Sequence, residues 1–429
     1  MTSAAKGEPA IPALPQSLPR YANPLIDWLL SDGWNIVDSG ELLKALAVRM
    51  LTEGIDVWRM RMTLRTLHPQ VIGVSFTWLK GQGDVEVYEA PHAILQTDEY
   101  RNSPYAAIFD GAGGVRRRLD ILGAVLDYGV LTDLKAEGAT DYVAMPLVFS
   151  DGKINAITFA TRRPGGFFSG ELSQINDMLP VLARLVEVHA MRRTAKTLLD
   201  TYLGPHTGER VLNGHIRRGD GEDIAAVIWF CDLRNSTALA ESMPRSDFLG
   251  ILNDYYDCVA GAVVDHGGEV LRFIGDAALA IFPTSGGGAG KRTCSSVECA
   301  AAAALAAAAE AERRLDDLNE RRAAGGQQPL GFGLALHIGE LTYGNIGVPG
   351  RLEFTVIGTA ANEAARLEGL SKPLGHRLIV SDEFARAYPA PWISLGQHRL
   401  AGVAAPREVF TLSGEALSAM RTIPATAAA

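Results

Sequence analysis

Gly267 to Phe282 reads GGEVLRFIGDAALAIF, the pattern of a strand, a tight turn and a second strand, with Asp276 in the turn. Glycine just before the aspartate lets backbone and carboxylate approach a ligand closely. A turn aspartate alone is commonly structural, because its side chain bonds its own backbone. Its meaning changes beside a second carboxylate. Val227 to Thr237, VIWFCDLRNST, is an apolar strand that ends in Asp232, and the polar turn after it opens a helix near Ala238. This offers a carboxylate for a hard cation next to the backbone N–H groups of Asn235, Ser236 and Thr237 for phosphate oxygens, although Asn235 or Ser236 would also serve as a plain helix cap. Two aspartates at the ends of neighbouring strands would form a two-carboxylate site for Mg²⁺ bound to polyphosphate.

A third segment supplies the opposite charge. Phe354 to Glu368, FTVIGTAANEAARLE, runs from a strand through Gly358 into a helix on which Asn362 and Arg366 stand at i, i+4 and share a face. An amide beside a guanidinium suits a ribose and a phosphate, and Arg can stabilise charge on a transferring phosphoryl group. Alone, Arg366 with Glu363 or Glu368 would read as a solvated helix face.

The segments FCDLRNST, GGEVLRFIGDAALAIF and HIGELTYGNIGVPGRLEFTVIGTAANEAARLE, in this order, resemble the catalytic domain of the class III nucleotidyl cyclases, which make cyclic AMP or cyclic GMP from the triphosphate. The resemblance spans roughly residues 224–412. It implies an α+β fold with a ferredoxin-like βαββαβ core, acting as a head-to-tail homodimer with two sites at the interface. It further implies that Asp232 and Asp276, helped by the Leu233 carbonyl, hold two Mg²⁺ (or Mn²⁺) ions. Asn362 would orient the ribose and Arg366 would stabilise the pentavalent transition state, both reaching in from the partner chain. Thr355 and Arg272 occupy the base-selecting positions. Thr355 matches the branch that favours adenine, whereas Arg272 stands where adenylate cyclases usually have Lys and guanylate cyclases Glu. Arg donates to adenine N1 or to guanine O6 alike. The closing segment LGQHRLAGVAAPREVF places Ala401 where a lysine usually binds the terminal phosphates, leaving Arg399 or another cation to substitute. The expected function is an adenylate cyclase acting on ATP, with a guanylate cyclase or a catalytically silent nucleotide-binding or partner-binding domain as alternatives.

Upstream, Leu25, Ile26, Leu29 and Leu30, then Leu42, Leu43, Leu46, Ala47 and Met50, follow helical spacing. Alternating runs at Trp58 to Arg65 and Ile72 to Trp78 predict strands, and two more flank the turn Ser150-Asp151-Gly152. With the stretch DYVAMPLVFSDGKINAITFAT before a long helix, residues 21–191 resemble a GAF-type regulatory domain. Leu172, Ile175, Leu179, Leu182 and Val186 keep an a/d rhythm that suits either a closing helix packed on its own domain or a parallel dimer helix. Residues 1–20 read as a flexible leader, 192–223 as a connecting helix and linker, and 413–429 as a C-terminal tail. The domain shows no His/Cys cluster, and Trp58, Phe76 and Trp78 read as core, so its small-molecule or protein effector is not named by the sequence.

Composition sets the outer bounds. The chain has 429 residues, 47% hydrophobic and 21% charged, with 40 Lys+Arg against 49 Asp+Glu and a net charge of −9. That is globular composition over two or three domains, and the acidic balance argues against a nucleic-acid partner. Four cysteines without a CxxC pair predict no disulfide framework and no structural zinc site, and fit a reducing cytoplasm. Neither a signal peptide nor a membrane span is expected. Gly286 to Arg292 is not a phosphate loop, because Arg292 stands where Ser or Thr must follow Lys291, and it reads as a flexible loop. His337, inside an apolar run, is expected as a satisfied core histidine.

Overall fold

A computed structural model describes residues 21–284, 294, 296–403 and 405–419; the leader, the glycine-rich loop and the last ten residues of the tail lie outside them. The chain divides into two compact units, Met1–Leu198 and Leu199–Ala429.

In the N-terminal unit, α1 (Pro24–Ser31) and α2 (Ser39–Thr52) each begin at a capping side chain, Asn23 and Asp38, that accepts from first-turn N–H groups. Strands β1 (Arg59–Arg65), β2 (Val71–Leu79) and β3 (Glu86–Pro91) follow, then α3 (Asp98–Arg101), α4 (Pro104–Phe109), β4 (Val115–Arg118), α5 (Gly129–Ala136), β5 (Asp141–Val148), β6 (Ile154–Thr161) and the long α6 (Ser169–Leu203). The strands form one antiparallel sheet in the order β3-β2-β1-β6-β5-β4. Alternation sends Met60, Met62, Leu64, Val74, Phe76 and Trp78 into a core with α1, α2 and α6. The opposite face, with Trp58, Tyr142 and Ala160, packs on Ile108, Leu131 and Leu134 from the short helices. The first half of α6 buries Ile175, Leu179, Leu182 and Val186 in its own unit's core, so there it is a closing helix, and Pro180 lies inside it without ending it. Edge strands β3 and β4 escaped the sequence reading because one is almost wholly exposed and the other has four residues.

The C-terminal unit runs α7 (Pro205–Leu212), β7 (Gly221–Leu233), α8 (Ser236–Ser242), α9 (Arg245–Asp265), β8 (Glu269–Ile274), β9 (Ala277–Pro283), α10 (Val297–Ala324), β10 (Phe332–Val348), β11 (Arg351–Ile357), α11 (Thr359–Leu374), β12 (Leu378–Ser381), α12 (Asp382–Ala387), β13 (Ile393–His398), β14 (Arg407–Thr411) and α13 (Gly414–Ala419). Its sheet has the order β13-β14-β12-β10-β7-β9-β8, with β11 hairpinned onto β10. The four strands β10-β7-β9-β8, with α9 and α10 as crossovers, make an antiparallel βαββαβ core. Central β7 is covered on both sides. Val227, Trp229, Cys231 and Leu233 face α9 and α10, while Ala226 and Ile228 face β11 and α11.

Two expectations are refined. Cys294, just before α10, and Cys299, in its first turn, are joined by a disulfide with Cα atoms 5.4 Å apart, so these two are not free thiols, a pairing that CxxC spacing does not cover. Among the described residues no helix is long and apolar enough to cross a membrane. The alanines of α10 do more than favour helix: Ala300, Ala304, Ala307, Ala308 and Ala311 are all buried against the sheet and α9. Ala304→Leu is therefore expected to overpack this contact and cost about 1–3 kcal/mol, read as a lower urea midpoint with an unchanged slope.

Candidate active site

Period-two alternation places Asp232 on the α11 side of β7, one residue before the strand ends. Its register partner on β9 is Ala277, the residue after Asp276, so the β8–β9 hairpin turn delivers Asp276 beside Asp232. Gly275 takes φ +65° in that turn, a conformation glycine adopts at little cost. Tyr256 on α9 donates from Oη to the Gly275 carbonyl at 2.7 Å, and its ring centroid lies 4.3 Å from that of Phe273, so the turn is tied to the helix beneath it. The two carboxyls interact directly. Burial, then the charge of Asp276 and a hydrogen bond with it, then Glu368, push the Asp232 pKa up to about 6, against a lowering pull from Arg234.

Arg234 anchors the other side. Its Nη2 lies 3.0 Å from Glu368 on α11 and also donates to Ser371. The guanidinium crosses β10 at Gly333, where an added Cβ would run into Arg234, Glu368 and Ser371. Glu368 is thus buried, with its pKa raised by burial against the lowering effect of Arg234. Helix periodicity turns it inward beside Leu367 and Ala364. Arg234, Tyr256, Gly333 and Glu368 escaped the sequence reading, although Arg234 and Glu368 sit inside quoted motifs; only tertiary packing shows that they meet.

Asn235 occupies the N-cap of α8 at φ 57°, in the left-handed region that Asn tolerates, and its side chain makes no capping hydrogen bond. The plain-cap reading is thus not the arrangement seen, and with seven residues α8 leaves Ser236 and Thr237 with little helix behind them. Arg272 on β8 pairs through Nε with Glu353 of β11 at 3.1 Å, both half-exposed. Thr355 lies two residues from Glu353 on the same strand face. On α11, Asn362 is exposed and Arg366 half-buried, and a Cβ at Gly402 would stand 3.4 Å from the Arg366 guanidinium. Arg366 therefore lies beside Ala401, while Arg399 is exposed. Within one chain Asp276, Glu368 and Arg234 act on Asp232.

The donor set suits a hard divalent cation. Two carboxylates side by side repel, a cation between them relieves that repulsion, and Mg²⁺ is commonly held by one or two carboxylates together with substrate phosphates. Among the described residues no group of three or more His, Cys, Asp or Glu side chains forms a closed metal site. His337 is buried but not satisfied. Its Nδ1 has no hydrogen bond, Glu363 and Glu383 stand 3.8 Å from its ring nitrogens, and burial lowers its pKa.

The βαββαβ core with paired aspartates at adjoining strand ends is the arrangement implied by the class III nucleotidyl cyclase motifs, and comparison with known proteins bears that resemblance out. The chain is 30% identical over 177 residues to an adenylate cyclase from Anabaena cylindrica, covering 41% of this chain and 33% of that protein. It is 34% identical over 187 residues to an uncharacterized protein from Mycobacterium tuberculosis, covering 43% of this chain and 32% of that one. The chain thus spans about a third of the length of these curated relatives. Among solved structures, the adenylyl cyclase CyaB from P. aeruginosa is similar over 44% of this chain and 94% of that one, at 23% identity and a TM-score of 0.40. A guanylyl cyclase structure is similar over 44% of this chain and 92% of that one, at 26% identity and a TM-score of 0.38. No family model matches the chain. Over about two fifths of its length the chain is similar in sequence to an adenylate cyclase.

Arg234→Ala is expected to destabilise the C-terminal unit by about 3 kcal/mol, because Glu368 stays buried without its cation. The loss should be largest at neutral pH and shrink as pH falls through the raised Glu368 pKa, where a proton replaces the missing charge; melting curves between pH 7.5 and pH 4 measure this.

Proposed function

We propose that the chain is an adenylate cyclase that converts ATP to 3′,5′-cyclic AMP and pyrophosphate under the control of a GAF-like N-terminal unit. The observation that carries this reading is the meeting of Asp232 and Asp276 at adjoining strand ends. These two side chains, with the Leu233 carbonyl, would hold two Mg²⁺ (or Mn²⁺) ions, which when bound supply Lewis acidity to the ribose 3′-hydroxyl and charge neutralisation to the polyphosphate. In the reaction the ribose 3′-oxygen loses its proton and bonds to the α-phosphorus, while the bond from that phosphorus to the bridging oxygen breaks and pyrophosphate leaves.

The chain's own residues position these atoms. Asn362 orients the ribose, and Arg366 stabilises the negative charge on the equatorial phosphoryl oxygens. A homodimer in which each chain completes its partner's site would bring both residues to the carboxylates of the other chain. The polar turn Asn235-Ser236-Thr237 lies next to the carboxylates and would face the phosphates. Arg366, beside Ala401, also supplies positive charge at the corner where the usual lysine is missing.

Arg272 and Thr355 would read the base. The Arg272–Glu353 pair is half-exposed and cheap to separate, at about 0–1 kcal/mol. Freed, Arg272 donates to adenine N1 while Glu353 accepts from the exocyclic amine. The same pair also fits guanine, donating to O6 and accepting from N1–H, and this favours guanylate cyclase as the second reading.

Cyclic nucleotide formed from ATP and from GTP with Mn²⁺ separates the readings: cyclic AMP should dominate, and dominant cyclic GMP would select the second. Asp276→Ala should lower turnover by about three orders of magnitude while leaving the dimer intact in sedimentation. Mixed with Arg366→Ala chains it should regain activity, since one site of each mixed dimer is whole. Tyr256→Phe, which releases the hairpin turn, should reduce kcat by about ten- to a hundredfold without lowering the melting temperature appreciably.

A further inference from the structure

The N-terminal unit carries a cavity that neither its core nor the cyclase reading uses. Alternation along β1 turns Met60, Met62 and Leu64 into the core and leaves Arg61, Thr63 and Arg65 on the opposite face. A cavity of about 90 Å³ opens there, bounded by these residues together with Ser75 of β2 and Tyr100, Tyr105 and Phe109 from the α3–α4 segment. At roughly 30 Å³ per water that is room for about three waters, enough for a carboxylate or phosphate group.

The charge of this cavity is one-sided. Arg116, Arg117, Arg118 and Arg163 of the same unit are each paired with a carboxylate. Arg61 and Arg65 have no such ion pair among the described residues, and the Nε of Arg61 is shut away from solvent without a hydrogen-bond partner. Their guanidinium carbons lie 5.8 Å from the Tyr105 ring centroid and 5.5 Å from that of Phe109. Asp110 acts on the Tyr100 hydroxyl at this corner, as does Arg65, yet it forms no ion pair with either arginine. Thr63 and Ser75 share a hydrogen bond of 2.9 Å, which uses one of their two hydroxyl hydrogens and leaves the other to donate. A buried N–H without an acceptor is costly, and a planar guanidinium matches the paired oxygens of a carboxylate or phosphate.

We propose that this cavity binds a small organic oxyanion, with Arg61 and Arg65 holding its carboxylate or phosphate, a Thr63 or Ser75 hydroxyl and the Tyr100 hydroxyl donating to it, and Tyr105 and Phe109 lining its apolar body. Because it concerns the N-terminal unit alone, it stands or falls independently of the cyclase assignment.

Calorimetry on the full chain with benzoate, inorganic phosphate and neutral benzamide tests this. Binding of benzoate alone assigns the carboxylate class, binding of phosphate alone the phosphate class, and binding of both an oxyanion site without preference; benzamide should bind at least tenfold more weakly than benzoate. Arg61→Gln and Arg65→Gln should each weaken the bound probe at least tenfold, while Arg49→Gln on α2 leaves it unchanged. Should Arg61→Gln fail to fold, Arg65→Gln, whose side chain lies at the exposed end of β1, carries the comparison. Absence of binding by both anions at millimolar concentration, equal binding of benzamide, or unaltered affinity in Arg65→Gln overturns the proposal.

Discussion

Two like charges held side by side set the terms for the C-terminal unit. Asp232 and Asp276 meet because β7 and β9 are register-locked neighbours, and burial together with the nearby Asp276 pushes the Asp232 pKa up to about 6. Such a pair is unfavourable unless something nearby offsets it. Arg234 does so in part, and in turn must be held by Glu368 and Ser371 on α11. The remaining repulsion is what makes the pair a good host for a divalent cation.

Small residues make that arrangement possible. Gly333 leaves a path across β10 for the Arg234 side chain, and at Gly339 an added Cβ would collide with Ala360, so α11 can lie close on the sheet. On the other face the buried alanines of α10 bring it near α9 and the sheet, and α9 in turn holds the Gly275–Asp276 turn through Tyr256. Packing on both sides of β7 therefore reaches the carboxylates by short routes. Beneath them, burial pushes the Cys231 thiol up to about 11, so it acts as an inert core residue and not as a reactive group.

The N-terminal unit solves a different problem with the same period of two. One face of its sheet is filled by methionine, leucine and aromatic side chains against helices, whereas the other is only partly covered by short helices. Where that cover is incomplete, β1 presents arginines. Arg116 and Arg163 of the same unit pair with carboxylates, whereas Arg61 and Arg65 have no such pair among the described residues.

Much of this was legible in the residues. The strand, turn and strand around Asp276, the strand end at Asp232 and the helix of Asn362 and Arg366 are local patterns, and each element lies where its periodicity put it. Alternation likewise marked β1, β2, β5 and β6, because one buried face imposes a period of two. Edge strands β3 and β4, with little burial, left no such trace. What only the tertiary structure decided is which side chains meet: Glu368 is a buried partner of Arg234, His337 is buried without full hydrogen bonding, and Arg272 meets Glu353 across the strands. The reason is physical. Periodicity reports which face of an element is covered, but the partner that covers it comes from strand order and register, and those are set by contacts between residues far apart in the chain.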